Sequence, residues 1–213
     1  GGAGTSTAAI AIGGGTPDKA SNNETWNGSG WTEVADLNTT RRGTEQSTGI
    51  VTSAICMGGD ADPPNVANTE LWNGSGWTEV SDLNTARARG IGSGASNTAA
   101  LCVGGAIAPG PISAVTESWN GSAWTEVGDM NTARKDCGGA GTSTAALAIG
   151  GQAPSDSALN ESWNGSAWTE VGDLNTAVFS QGSAGTQTSA IKFGGNPSSP
   201  GALTEFWNGT SWT

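Results

Sequence analysis

The chain has 213 residues, with eight Lys and Arg against 19 Asp and Glu, a net charge of -11, 35 Gly, ten Trp, and neither His nor Tyr. The missing His excludes Ser-His-Asp and Cys-His nucleophile systems, His-ligated zinc or copper and imidazole proton relays, and the missing Tyr excludes a Tyr nucleophile. The negative charge disfavours nucleic acid and anionic membranes, and no apolar run approaches the roughly 18 residues of a bilayer span, so neither nucleic-acid binding nor membrane insertion is expected.

The chain repeats itself. Trp-Asn-Gly begins at Trp26, Trp72, Trp119, Trp163 and Trp207, and five residues after each comes a second Trp: Trp31, Trp77, Trp124, Trp168 and Trp212. Four short pieces per unit of about 45 residues are the pattern of a propeller blade. The expected fold is all-β: one domain over 1–213, a closed five-bladed β-propeller with four antiparallel strands per blade. Its units run approximately over 1–40, 41–86, 87–133, 134–177 and 178–213.

Within each unit the first piece is almost free of side chains, as in Gly1-Gly2-Ala3-Gly4 and Gly138-Gly139-Ala140-Gly141, which suits an innermost strand crowded at the axis. The second alternates large and small residues, Ile55 and Met57 against Ala54 and Cys56, Leu101 and Val103 against Ala100 and Cys102. Period two gives such a strand one bulky and one slight face, which neighbouring blades can interlock. The third and fourth pieces form a hairpin, with Asn-Gly predicting a type I′ turn and the two Trp meeting across the strands. Trp31, Trp77, Trp124, Trp168 and Trp212 are expected mostly buried between blades, and the Asn of each turn exposed. The stretch 126–137, which links Trp-Thr to the next Gly-Gly-Ala-Gly, has no counterpart after Thr213. A ring opened at that point, or a piece of a longer polypeptide or assembly, is the expectation.

Repetition argues against local chemistry. The acids Glu24, Glu70, Glu117, Glu161 and Glu205 recur two places before the first Trp, where they read as a solvated outer face, and like carboxylates do not make the unlike pair that acid–base catalysis needs. Asp60 and Asp62 are too few oxygens for a calcium site, so no metal and no cofactor is expected. Cys56 and Cys102 occupy small-face positions as space-fillers, and Cys137 stands apart. The Asn-Gly-Ser/Thr sequons follow from turn chemistry. What varies is the segment after each Gly-Gly, rich in Pro and different in every unit, and variable loops on a rigid scaffold are where recognition sits. Candidate partner-binding residues are Asp60, Asp62, Pro63, Pro64, Ile107, Pro109, Pro111, Ile112, Pro197 and Leu203, in loops 60–68, 106–115 and 196–203. Ile107, Ile112 and Leu203 are expected exposed.

The order Gly58-Gly59, Trp72-Asn73, Trp77, Leu83 and Arg87 resembles the kelch-type repeat, in which Gly-Gly is followed by an aromatic-acidic pair, a Trp, an apolar residue and an Arg. Here Trp-Asn stands for Tyr-Asp throughout, Val178 stands where the other units carry Arg41, Arg87 and Arg134, and the units are short. The Tyr and His that ligate copper in kelch-like oxidases are absent, so that activity does not carry over. The Trp-Asn-Gly-rich units are also similar to arrays in predicted tail-associated proteins of marine bacteriophages, which implies an extracellular or virion-associated setting. The expected function is therefore a non-enzymatic binding or structural module whose loops recognise a protein or a glycan, within a phage or virion attachment structure. The alternatives are a lectin with five glycan sites and, behind it, a glycan-processing enzyme.

Overall fold

The structure, a computed structural model, describes residues 1–15, 19–61, 64–196 and 203–213. The first blade is β1 (Gly2–Gly4), β2 (Ala9–Gly15), β3 (Lys19–Trp26) and β4 (Trp31–Val34). The second is β5 (Thr48–Ile50), β6 (Ser53–Met57), β7 (Thr69–Trp72) and β8 (Trp77–Val80), and the third is β9 (Ile91–Ser96), β10 (Ala99–Val103), β11 (Thr116–Trp119) and β12 (Trp124–Glu126). The fourth has β13 (Gly138–Gly141) and β14 (Ala146–Ile149), a small hairpin of β15 (Gln152–Ala153) and β16 (Ser155–Asp156), then β17 (Asn160–Trp163) and β18 (Trp168–Val171). In the fifth, β19 (Gly182–Thr186), β20 (Ser189–Phe193) and β21 (Glu205–Trp207) are completed by the bridge between Trp207 and Trp212. Each blade is an antiparallel meander in chain order, and the described residues contain no helix. The fold is a five-bladed β-propeller.

Alternation of large and small residues builds the seams between blades. Ile10, Ile12 and Leu37 of the first blade pack on Ala54, Cys56, Trp72 and Trp77 of the second. The same relation recurs between Ile55, Met57 and Leu83 and the Trp119/Trp124 pair, between Leu101, Val103 and Met130 and Trp163/Trp168, and between Leu147, Ile149 and Leu174 and Trp207/Trp212. Each seam is thus one bulky face against one small-residue face filled by two indoles, whose rings lie 5.4–5.6 Å apart. Burying one indole removes roughly 150–250 Å² from water, worth about 4–6 kcal/mol before ordering costs.

The indole N–H groups of the two Trp reach different partners. The first of each pair donates to the turn between the inner strands of its own blade, as Trp72 to Val51 O at 2.8 Å and Trp119 to Asn97 O at 2.9 Å. In the third and fourth blades the second reaches the preceding blade, Trp124 Nε1 donating to Thr69 Oγ1 and Trp168 Nε1 to Thr116 Oγ1, both at 3.0 Å, whereas the Trp77 N–H is buried without a partner.

Two expectations are corrected. The hairpin between the third and fourth strands is not a type I′ turn, because its Gly has positive φ (95° at Gly28 and Gly74) whereas its Asn does not. Trp72 pairs with Trp77, leaving a four-residue loop organised by the Asn73 side chain. Its Oδ1 accepts the N–H of Ser75 at 2.9 Å, the N–H of Gly76 at 3.0 Å and the Ser75 hydroxyl at 2.9 Å. The side chain therefore does what a second positive-φ residue would have done, and the hydroxyl bond accounts for the Ser or Thr in every sequon. Asn73→Ala should lower stability by about 1 kcal/mol, read as a shift in the denaturation midpoint, whereas Asn73→Asp should retain most of it.

The second correction concerns the seam between the fifth blade and the first. Inner strands lie side by side from β1 through β5, β9 and β13 to β19, and four seams are packed. Between the fifth blade and the first, no core cluster and no hydrogen bond joins the described residues. Trp31 is accordingly 52% exposed while its four counterparts are 5–9% exposed, and Phe193 and Phe206 on the outer face of the fifth blade are also exposed. The ring of blades is packed around four-fifths of its circumference, so burial holds for Trp77, Trp124, Trp168 and Trp212 and fails for Trp31.

Candidate functional site on the connector face

The segments that lead from one blade to the next set the geometry of this face, and each is latched by a buried carboxylate. Asn84 donates its backbone N–H and its amide Nδ2 to Glu117 Oε2, both at 2.7 Å, Thr85 N–H reaches Oε1 at 3.3 Å, and Arg87 Nη2 lies 3.0 Å from the same Oε1. Glu70 and Glu161 receive the same set from Asn38 and Arg41 and from Asn131 and Arg134, with both members of every ion pair wholly buried. These Glu are not a solvated face, as the repeat alone implied. A buried carboxylate is tolerable when its charge is paired and its lone pairs are filled, and the Asn-Thr-x-Arg connector supplies both.

The fifth blade shows the same logic with different residues. Val178 replaces the Arg, and Lys192 occupies the small-face position held by Cys56, Cys102 or Ala148 elsewhere. Its Nζ lies 3.9 Å from Glu205 Oε1 and donates to Leu203 O at 3.2 Å, while Asn175 keeps its two bonds to Oε2. The cation has moved from the connector to the strand. Sequence reasoning missed this latch because its partners are about 30 residues apart, although an invariant Glu two before Trp and a single Arg-to-Val change with a single Lys nearby were the available signal.

The variable loops are tied to these connectors. Asp60 bridges to Arg42, Ala106 to Ala88, Gln152 to Lys135 and Asn196 to Phe179, so the loops after Gly-Gly and the connectors share one face. Each Gly-Gly permits that close approach: a Cβ at Gly104, where φ is +61°, would meet Arg134 O at 2.5 Å. Loops in the second and third blades fold back on themselves through the bridges Asp60–Asn65 and Ala106–Ile112, and Asn65 Nδ2 crosses from one to the other to Ala106 O at 2.6 Å.

Between these two loops lies a cleft of about 410 Å³, bordered by Arg42, Glu45, Asp60, Asn65, Arg89 and Ala108. Two ion pairs frame it. Arg42 Nε lies 2.9 Å from Asp60 Oδ2, and Arg89 grips Asp136 through two bonds of 2.7 and 2.6 Å. Arg89 and Asp136 both have positive φ, at the place where the second-blade connector carries Gly43, and Asp136 N–H bonds to Arg89 O, so adjacent connectors are joined along the rim.

Of the loop residues expected to meet a partner, Asp60 lines the cleft, and Pro64, Pro109 and Pro111 are exposed. Ile107 and Ile112 are half-buried within their own loop, contrary to the expected exposure, because the Ala106–Ile112 bridge folds them inward; Leu203 is exposed. Asp62, Pro63 and Pro197 lie outside the described residues. Loops 60–68 and 106–115 are thus brought together, whereas Leu203 stands on the fifth blade, away from that cleft.

The axis holds a cavity of about 490 Å³ lined by the small residues of all five inner strands, with Asp136, Cys137 and Gln181 at its edge. Burial pushes the Cys137 thiol up to about 12 and raises that of Cys102 as well. Both thiols are neutral at physiological pH and poor nucleophiles. The folded chain keeps the Cys137 proton above the ordinary thiol range, so stability should fall as pH rises from about 9 towards 12, and alkylation by iodoacetamide at pH 8 should be slow until the protein is unfolded. Among the described residues no three acidic or Cys side chains converge as a metal site would require.

No protein-family model matches the sequence, and none of the curated proteins it was compared with is similar to it.

Proposed function

We propose that this protein is a non-enzymatic binding or structural module that presents its connector-face loops to one protein or glycan partner, centred on the cleft between the second and third blades. The observation that carries the reading is the asymmetry of the two faces. Turns of the form Asn-Gly-Ser or Asn-Gly-Thr are alike in every blade, whereas loops 60–68 and 106–115 differ in sequence, are anchored to the connectors and flank a cleft with mixed charge. Loops already held by backbone bridges lose little entropy on binding. The motif order of the kelch type, and the likeness to phage tail-associated arrays, favour an extracellular or virion-associated attachment role.

The five-site lectin reading needs an exposed indole in each blade for sugars to stack on, and four of the five Trp pairs are buried in seams. A catalytic reading needs two carboxylates in unlike surroundings within one cavity, and the buried Glu residues are instead occupied by connector groups. A glycan array and a panel of candidate surface proteins, probed with the protein and with a variant whose loops 60–68 and 106–115 carry the 152–160 sequence, tests the proposal. Binding by the parent and at least tenfold weaker binding by the variant, at nearly unchanged thermal stability, is expected. Equal binding by both would remove the loops from the site.

A further inference from the structure

In every turn between the third and fourth strands, the side-chain carbonyl of the Asn is surrounded as a reacting carbonyl would be. Asn73 Oδ1 accepts three hydrogen bonds, from Ser75 N–H, Ser75 Oγ and Gly76 N–H. The same set of donors reaches Asn27, Asn120, Asn164 and Asn208, at distances of 2.8–3.0 Å. Three donors on one carbonyl oxygen stabilise the negative charge that forms there when a nucleophile adds to the carbon. Because Oδ1 meets the N–H groups of both the second and the third following residue, the carboxamide is folded along the chain over the Asn-Gly peptide. The Gly nitrogen can close a ring on Cγ, and Gly has no side chain to obstruct its approach. Among the described residues, neither Gly74 N–H nor Asn73 Nδ2 donates to any group, and the same holds at Asn27, Asn120 and Asn164; Asn208 Nδ2 donates to Ser211 Oγ at 3.3 Å. All five Asn are exposed to water.

The connector Asn are held in the opposite way. Asn84 Nδ2 donates to Glu117 Oε2 at 2.7 Å, and the N–H of the next residue, Thr85, is bound to Glu117 Oε1 at 3.3 Å. Asn131 and Thr132 are tied to Glu161 in the same manner. There both the leaving nitrogen and the attacking nitrogen are engaged, and the attacking residue is β-branched.

We infer that the Asn-Gly turns are sites of self-modification, at which Asn converts to aspartate and isoaspartate through a cyclic imide. Hydroxide takes the Gly74 amide proton, and the nitrogen adds to Asn73 Cγ while Oδ1 carries the charge under its three donors. The Cγ–Nδ2 bond then breaks, and Nδ2 takes a proton from water and leaves as ammonia. Water opens the imide, giving aspartate where the bond from Cγ to the Gly nitrogen breaks and isoaspartate where the original peptide bond breaks. Each conversion adds one negative charge, so that all five would take the net charge from -11 to -16. By meander order these turns lie at the end of the blades away from the connectors, so the inference is independent of the cleft.

The test incubates the whole protein at pH 8 and 37 °C, folded in buffer and unfolded in guanidinium chloride, and follows each Asn by peptide mapping. Mass spectrometry reads conversion, and an isoaspartyl methyltransferase labels the isoaspartate. Asn27, Asn73, Asn120 and Asn164 should convert at least twofold faster in the folded protein than in the unfolded one, while Asn84 and Asn131 stay intact in the folded protein. Ser75→Ala, which removes one donor from Oδ1, should slow conversion at Asn73 at least twofold and leave Asn120 at its parent rate. A gain of less than twofold on folding would overturn the inference, since the turn would then not promote the reaction. So would aspartate formed without isoaspartate, which marks direct hydrolysis, or a rate at Asn73 that Ser75→Ala lowers by less than twofold.

Discussion

Arg134→Ala should be among the most destabilising single changes in this protein, at about 3–5 kcal/mol, or a fall in Tm of roughly 6–20 °C. The guanidinium is wholly buried, donates to Gly150 O at 2.6 Å and Leu159 O at 2.7 Å, and pairs with Glu161 at 2.9 Å. Its removal takes the donor from Gly150 O, leaves Leu159 O with the Gly150 N–H alone, and leaves a buried carboxylate with amide donors but no countercharge. Glu24→Ala is the matched control. Glu24 holds the same place in its blade but lies in solvent, so its loss should change stability by no more than about 0.5 kcal/mol. Equal effects of the two changes in a urea titration would mean that the latch contributes nothing beyond surface charge.

Trp124→Ala and Trp31→Ala should divide in the same way. Trp124 is 7% exposed, sits against Ile55, Met57 and Leu83, and donates its indole N–H to Thr69, so truncation opens a cavity in a seam and costs about 3–5 kcal/mol. Trp31 is 52% exposed and has no blade against it, so its truncation should cost less than about 1 kcal/mol. Acrylamide provides an independent reading in the intact protein: it should quench the contribution of Trp31 and part of that of Trp26, and leave the emission of the other eight Trp shielded. Uniform quenching of all ten would contradict the packed seams.

Both comparisons bear on how such a ring is held. Its blades are joined by interlocking apolar faces and by one polar latch per seam, and the latch also fixes the connector from which the variable loops spring. Changes at Asn84 or Arg87 should therefore reach the cleft through the connector 84–89, which carries Ala88 and Arg89 to its wall.

The repeat itself determined the number of blades, the four-strand meander, the strand with large and small faces and the exposed turn at each Asn-Gly, because these depend on side-chain period and local turn chemistry within about ten residues. Local chemistry was insufficient even for the turn type, since Asn73 works through its side chain and not through its φ. The face shared by the loops and connectors was also legible, as a consequence of meander order. What only the tertiary structure decided is which repeated residues are equivalent in surroundings as well as in sequence. Glu117 and Glu24, or Trp124 and Trp31, occupy identical positions in the motif, yet one of each pair is buried and the other exposed, because burial is conferred by the preceding blade and its connector. The exchange of Val178 and Lys192 has the same origin: a buried charge needs a counterion at a point in space, and residues distant in the chain can both reach it.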